Sequence, residues 1–283
     1  MSTTIQDVID TIIGRIPGAP LADTVDTVKT GDPSQAVKGI VTTFLATSEV
    51  INRAIELGAN LIITHEPTFY EHLDETEWLD EDPVYRSKRR LIDEHGIVIW
   101  RFHDYWHRHR PDGILNGVLK DLGWEFQIDF DALDGIGPTI DSFDAFVAVI
   151  KATCCFDMPP ISLLDLAEMF KQKLDIERVR VVGNPELICS RAALVVGKLD
   201  GKFQMRLLGQ DDVDVLVCGE INEWETCEYV RDANHHGQEK GLIILGHANS
   251  EEAGMKWCAE WLRGFVPGVR ISHVPAGDPF RFV

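Results

Sequence analysis

Short apolar runs that stop abruptly at polar clusters constrain this chain more than any other feature. Leu61-Ile62-Ile63, Ile97-Val98-Ile99-Trp100 and Leu242-Ile243-Ile244-Leu245 read as buried β-strands. Each is followed at once by a cluster: Thr64-His65-Glu66-Pro67, His103-Asp104-Tyr105-Trp106-His107 and His247-Ala248-Asn249-Ser250-Glu251. In open parallel sheets ligands bind at the carboxyl ends of the strands. Imidazoles and carboxylates at three such ends therefore read as one metal site.

Between the strands the pattern is helical. Apolar residues recur at helical spacing over residues 5–16, with Thr3 or Thr4 available as cap, and over 49–57, where Ser48 opens the helix and Gly58 stops it. Further helices are expected over 84–94, from Asp112 to Leu122, over 163–174 after Ser162, over 223–234 and over 250–262. Further strands are expected over 40–45, 145–152, 179–182, 192–196, 213–217 and 269–274. The acidic, aromatic stretch 71–82 reads as a long loop; with Phe69, Tyr70 and Trp78 it either shapes a substrate mouth or serves packing. Repeated βα alternation predicts an α/β fold in two lobes with mixed, partly parallel sheets. The Gly-, Asp- and Pro-rich segment 129–139 marks a boundary, giving a lobe of 1–128 with His65, Glu66 and His107 and a lobe of 129–283 with His247 and Glu251.

Composition narrows the function. The net charge of −19 disfavours nucleic acid, whose phosphates call for clustered Lys and Arg. The basic run 86–90 (RSKRR) reads as a solvated helix face. Six cysteines with no Cys-x-x-Cys spacing fit free thiols in a reducing cytoplasm. No stretch has the continuous apolar length of a signal peptide or a bilayer span, so the expectation is a cytoplasmic protein away from membranes. A phosphate-binding P-loop, a dinucleotide fingerprint and a Gly-x-Ser-x-Gly elbow are all missing from the sequence.

A two-metal site needs imidazole and carboxylate ligands, with positions left for water. His65 and Glu66 are adjacent and turn to one pocket if the strand opens there. His247 at the strand end and Glu251 in the first helical turn approach one ion, and the helix dipole favours the charge of Glu251. Of His103, Asp104 and His107 only some bind directly, another serving as orienting partner. Glu220, at a further strand end, lines the same pocket in this reading. Taken singly, each cluster reads as ordinary strand-end or helix-surface chemistry; three together reverse that preference. His72, His95, His109, His235, His236 and His273 lack such context and read as surface or core residues.

At these residues the chain resembles the NGG-one-interacting-factor-three (Nif-three-like) family, also known as dinuclear-metal-centre hexameric proteins or GTP cyclohydrolase I type 2. Gly58-Ala-Asn-Leu-Ile-Ile-Thr-His-Glu-Pro67 resembles the family's Gly-Ala-Asp-Leu-Ile-Ile-Thr-His-His-Pro. His103-Asp-Tyr-Trp-His107 resembles its second motif, in which an Asp stands four after a His. Cys218-Gly219-Glu220-Ile221 resembles Thr-Gly-Glu-Ile, and Gly246-His247-Ala-Asn-Ser-Glu251 resembles the closing Gly-His-Tyr-x-Ser-Glu. The resemblance implies a Nif-three-like fold, a hexamer, and metal ligands at His65, Glu66, His107, His247 and Glu251. Two departures compensate: Glu66 replaces a family His, and His107 replaces a family Asp. Glu66 then bridges two ions, with Asp104 as the rival bridge. Mixed nitrogen and oxygen ligation suits Zn, Mn or Fe. The expected activity is metal-dependent hydrolysis of a small nucleotide or phosphoester; the alternative is a non-catalytic, metal-binding oligomer with a regulatory or scaffold role.

Overall fold

The computed structural model describes residues 3–124, 149, 151–281 and 283. Its contacts divide the chain into two units: Met1–Gly117 with Glu252–Val283, and Val118–Glu251. The boundary expected at 128 lies outside the described residues. The last segment groups with the first unit because its final strand pairs there.

In the first unit, α1 (Ile5–Ile13) opens with a reciprocal cap. The Thr4 side chain accepts from the Asp7 N–H, and the Asp7 carboxylate accepts from the Thr4 N–H. The sheet joins β1 (Val28–Thr30), β2 (Gly39–Thr43), β3 (Leu61–Thr64), β4 (Val98–Arg101) and β10 (Arg270–His273) in the order β1-β4-β3-β2-β10. All neighbours are parallel except the β1–β4 pair. The unit's helices are α2 (Ser48–Glu56), α3 (Pro83–Glu94), α4 (Asp104–Arg108), the start of α5 (Gly113–Leu122) and α9 (His247–Arg263) from Glu252 onward. The α2 cap is Thr47, one residue before the expected Ser48. Gly58 follows with a φ of 71°, a conformation that favours glycine. Asp82 caps α3, with Pro83 in its first turn. Val41, Ile51, Ala54, Ile62, Phe69, Ile92 and Ile99 are buried in one cluster. Shaving one of the large members, as in Ile51→Ala, costs about 2–5 kcal/mol. That cluster makes β3 and β4 a rigid base for the residues that follow them.

In the second unit, β5 (Cys155–Ser162), β6 (Arg180–Val182), β7 (Ile188–Lys198), β8 (Val215–Glu220) and β9 (Gly241–Ile244) are ordered β5-β7-β8-β9-β6. The central three are parallel and the two edges antiparallel. Helices α6 (Leu163–Leu174), α7 (Gly201–Leu208) and α8 (Glu228–His235) accompany them. Ser162 caps α6 by accepting from the Asp165 N–H. Leu207, Val213, Leu216, Val230 and Leu242 share a buried cluster.

The structure revises several expected elements. Of the strand expected over 145–152, residues 149, 151 and 152 are helical and the others lie outside the described residues. The strand starts instead at Cys155 and carries Pro159 and Pro160, which an edge strand tolerates because its outer N–H groups need no partner. Helix α7, capped by Asp200, is only two turns long and left too little periodicity to be read. The helix expected over 223–234 divides into a π-turn, Glu223–Cys227, and α8. The helix expected from Ser250 begins at His247, which places that histidine in the helix and not on the strand. Mixed α/β architecture with partly parallel sheets is as the alternation predicts. Among the described residues no helix is long and apolar enough to cross a membrane.

Candidate metal centre

In the first unit the site starts where β3 and β4 run out. His65 is fully buried, and its N–H lies 3.2 Å from the carbonyls of Thr43 and Phe44, so the chain leaves β3 under the control of its neighbour. Its Nδ1 is 3.2 Å from the Phe102 carbonyl. After β4 the chain turns into α4, and a buried aspartate from outside the helix makes that turn possible. The Asp26 carboxylate accepts from the N–H groups of His103 (2.8 Å), Asp104 (3.0 Å) and Tyr105 (2.8 Å). It thereby satisfies donors at the start of the helix that have no partner within it. Burial pushes the Asp26 carboxyl up to about 6 against these hydrogen bonds.

The turn brings three imidazoles together. The rings of His65 and His103 stack with centroids 4.6 Å apart; His107 meets them edge-on at 5.0 and 4.8 Å. One ring nitrogen from each residue lies within 4.8 Å of the others. His103 Nδ1 is 2.9 Å from Asp104 Oδ1, and His107 Nδ1 is 2.8 Å from Asp112 Oδ2. Burial, then the neighbouring His107, pushes His103 down to about 4, so the ring is neutral near pH 7. Burial raises the Asp104 carboxyl, but hydrogen bonds from His103, Thr24 and the Val25 backbone outweigh it and leave the group below its ordinary value.

Glu66 lies at the edge of this group, 3.6 Å from Arg101 Nη2 and 3.8 Å from His103 Nε2. The Arg101 side chain is fully buried, and it donates to the carbonyls of His65 (3.2 Å) and His72. A buried guanidinium persists only when such partners offset its lost hydration.

The second unit holds its own group. His247 opens α9 with Nδ1 3.0 Å from Glu220 Oε1, at the end of β8, and Nε2 3.2 Å from Glu251 Oε2. Glu251 is only 3% exposed, unlike an ordinary surface partner four residues along a helix. Room for its carboxylate comes from Gly197 on β7: a Cβ there would fall 2.0 Å from Glu251 Oε1 and 3.3 Å from His247 Nε2, and φ is +64°. The Gly197 N–H also donates to Ser250 Oγ at 2.9 Å.

One chemical pattern covers all four histidines. In each, Nδ1 faces a carbonyl or carboxylate oxygen, which only accepts. An accepting oxygen there places a proton on Nδ1 of His65, His103 and His107. Metal-binding histidines are oriented in this way. In the second unit His247 has a carboxylate at each ring nitrogen, Glu220 at Nδ1 and Glu251 at Nε2, 3.2 Å away. A proton or a cation between Nε2 and Glu251 offsets the carboxylate charge there. The donor set fits a divalent ion.

Of the residues singled out from sequence, His65, Glu66, His103 and His107 gather at the ends of β3 and β4, and His247 stands between Glu220 and Glu251. Asp104 faces Thr24, Val25 and His103. Phe69 is buried in the core, whereas Tyr70 and Trp78 are exposed. Asp26, Asp112, Arg101 and Gly197 went unnoticed as site residues. Only Asp112, five residues after His107 and at an expected helix start, left a readable trace.

Each of the two mixed α/β units carries an imidazole–carboxylate group at the carboxyl ends of its parallel strands. More narrowly, the chain belongs to the Duf34/NIF3 (NGG1p interacting factor 3) family, whose model matches residues 4–276. It is 25% identical over 286 residues to a GTP cyclohydrolase 1 type 2 homolog of Clostridium perfringens (strain 13 / Type A), covering 99% of both chains. Its fold is similar to that of a Bacillus cereus protein related to NIF3, with a TM-score of 0.76, 17% identity and full coverage of both chains. A Staphylococcus aureus hypothetical protein matches at a TM-score of 0.70 and 22% identity, again over the full length of both chains.

Proposed function

We propose that the protein is a metal-dependent hydrolase acting on a small nucleotide-like or phosphoester substrate, in keeping with the GTP cyclohydrolase 1 type 2 homolog name its relatives carry. The observation that carries this reading is the common orientation of His65, His103, His107 and His247, each held by an oxygen at Nδ1. The proposed ligands of one dinuclear centre are His65, Glu66, His107, His247 and Glu251, with Glu66 as the bridge and Asp104 as its rival. Zn, Mn and Fe all suit that mixture. Bound there, a divalent cation lowers the pKa of water and polarises a substrate oxygen.

The chain's own residues prepare that chemistry. Phe102, Asp112 and Glu220 fix ring tautomers, Asp26 sets the turn that delivers His103, and Arg101 adds positive charge beside Glu66. The reading includes a cytoplasmic homo-oligomer, hexameric as the family resemblance implies. Light scattering of the purified protein checks the assembly.

The test is metal content and turnover of purified protein on GTP and a panel of phosphoesters, after loading with Zn, Mn or Fe. Turnover that tracks metal and falls at least ~100-fold in His247→Ala is the expected result. Bound metal with no metal-dependent turnover would replace the hydrolase with a non-catalytic metal-binding oligomer.

A further inference from the structure

We propose that Tyr70 contacts the substrate, as an aromatic platform that stacks on the base of a mononucleotide whose phosphate lies toward Glu66. The proposal rests on the hydrolase reading and narrows its substrate from a nucleotide or phosphoester to a molecule that bears a base.

The segment that follows β3 is folded back and fastened. The buried Arg101 guanidinium donates to the carbonyls of both His65 and His72, so one group closes the two ends of 65–72. The Asp74 carboxylate accepts from the Phe69 N–H at 2.7 Å and stands 3.6 Å from Lys29 Nζ. Lys88, reaching from α3, donates to the Thr68 carbonyl at 2.5 Å. Held in this way, Phe69 is 2% exposed and the next residue, Tyr70, is 57% exposed. The Tyr70 φ of 67° is an outlier for a bulky side chain. Such strain persists only where the surrounding contacts over-determine it, and it gathers at ligand clamps.

The ring has an electrostatic backing as well. Lys88 Nζ lies 5.3 Å from the centroid of the Tyr70 ring and 5.7 Å from that of Phe69, within reach of a cation–π attraction. Burial pushes the Lys88 amine down to about 8, so holding the ammonium costs stability that an apolar residue would not. In return the charge fastens Thr68 and fixes Tyr70 with more than half of the residue open to solvent.

Charge around the loop selects which part of a ligand the ring takes. Glu75 and Glu77 are exposed close after Tyr70 in the chain, and their carboxylates repel a phosphate but tolerate a neutral base. Tyr70 stands four residues past Glu66, so their Cα atoms are at most about 14 Å apart. A mononucleotide bridges such a separation with its phosphate at one end and its base at the other.

The experiment measures equilibrium binding of GMP, AMP, CMP and ribose 5-phosphate to purified full-length protein. Wild type is expected to hold at least one nucleotide more tightly than ribose 5-phosphate. Tyr70→Ala should weaken that nucleotide roughly 5- to 150-fold, the worth of one base–aromatic stack, and leave ribose 5-phosphate unchanged. Tyr70→Phe should keep the preference, because the ring remains. Tyr70→Gly, which suits the positive φ, takes the place of the alanine variant if that one fails to fold. A wild type that binds no nucleotide better than ribose 5-phosphate would overturn the proposal. So would a folded Tyr70→Ala or Tyr70→Gly that keeps the preference; if light scattering then shows a smaller assembly, the ring serves contacts between copies instead. Metal-dependent turnover in either case leaves the hydrolase reading standing, and its absence as well would sink both.

Discussion

The two candidate cation-holding groups solve the same problem with different chemistry. In the first unit three imidazoles meet at the ends of β3 and β4, two of them held at Nδ1 by Asp104 and Asp112. In the second, one imidazole stands between two carboxylates, Glu220 at Nδ1 and Glu251 at Nε2, with a glycine providing the space. A nitrogen-rich group favours borderline metals such as zinc, and a carboxylate-rich one admits harder cations. The contrast also shows two ways to orient a histidine. The first unit uses the short-range partners Asp104 and Asp112, one and five residues from their histidines. The second reaches from a helix start to the end of another strand.

The sharpest way to break the second group is Gly197→Ala. The added Cβ meets the Glu251 carboxylate at 2.0 Å in a backbone conformation that disfavours any side chain, and Glu251 has little room to move. A stability loss of about 2–4 kcal/mol is expected, read as a lower urea midpoint, with weaker binding of metal. Asp112→Ala tests the first group. It removes both the His107 partner and the acceptor for the Leu115 N–H, so a roughly 10–100-fold loss of metal affinity should accompany about 1 kcal/mol of destabilisation.

Acidity separates the groups next, because Asp26 organises only the first. Its carboxyl binds a proton more tightly in the folded chain, near 6, than the ordinary value of 3.8 in the unfolded one. The stability this contributes is fully present below about 4 and is lost as pH rises through about 6. Urea midpoints should therefore carry a declining term on the order of 3 kcal/mol across that window. Asp26→Asn should remove the slope; an unchanged slope would show that Asp26 is not its source. The smallest effect is expected from Glu220→Gln, since the amide oxygen still accepts from His247 and the position is partly exposed. Metal affinity should fall less than about 10-fold, measured by competition with a chelator.

Much of this molecule was readable from residue order. Strands β3, β4 and β9 lie where the apolar runs are, because both faces of a central parallel strand are covered and the run must be apolar throughout. Helix α6 matches its expected span because Ser162 caps it and its apolar spacing is regular. Where local signals were weak, the reading failed: α7 is too short to show a period, and β5 is disguised by two prolines. His103, expected either to orient a ligand or to bind directly, stands as close to the other imidazoles as they stand to each other.

Residue order alone determined the alternation of strands and helices, the positions of the strand ends and the stock of imidazoles and carboxylates placed there. Such features depend on nearest neighbours along the chain, and periodicity records them. The tertiary structure alone decided which oxygen faces each imidazole, that Asp26 organises the α4 turn, that Gly197 makes room for Glu251, and that β10 joins the first sheet. Each of these depends on atoms brought together across tens to hundreds of positions, where burial and hydrogen-bond geometry act and sequence spacing carries no record.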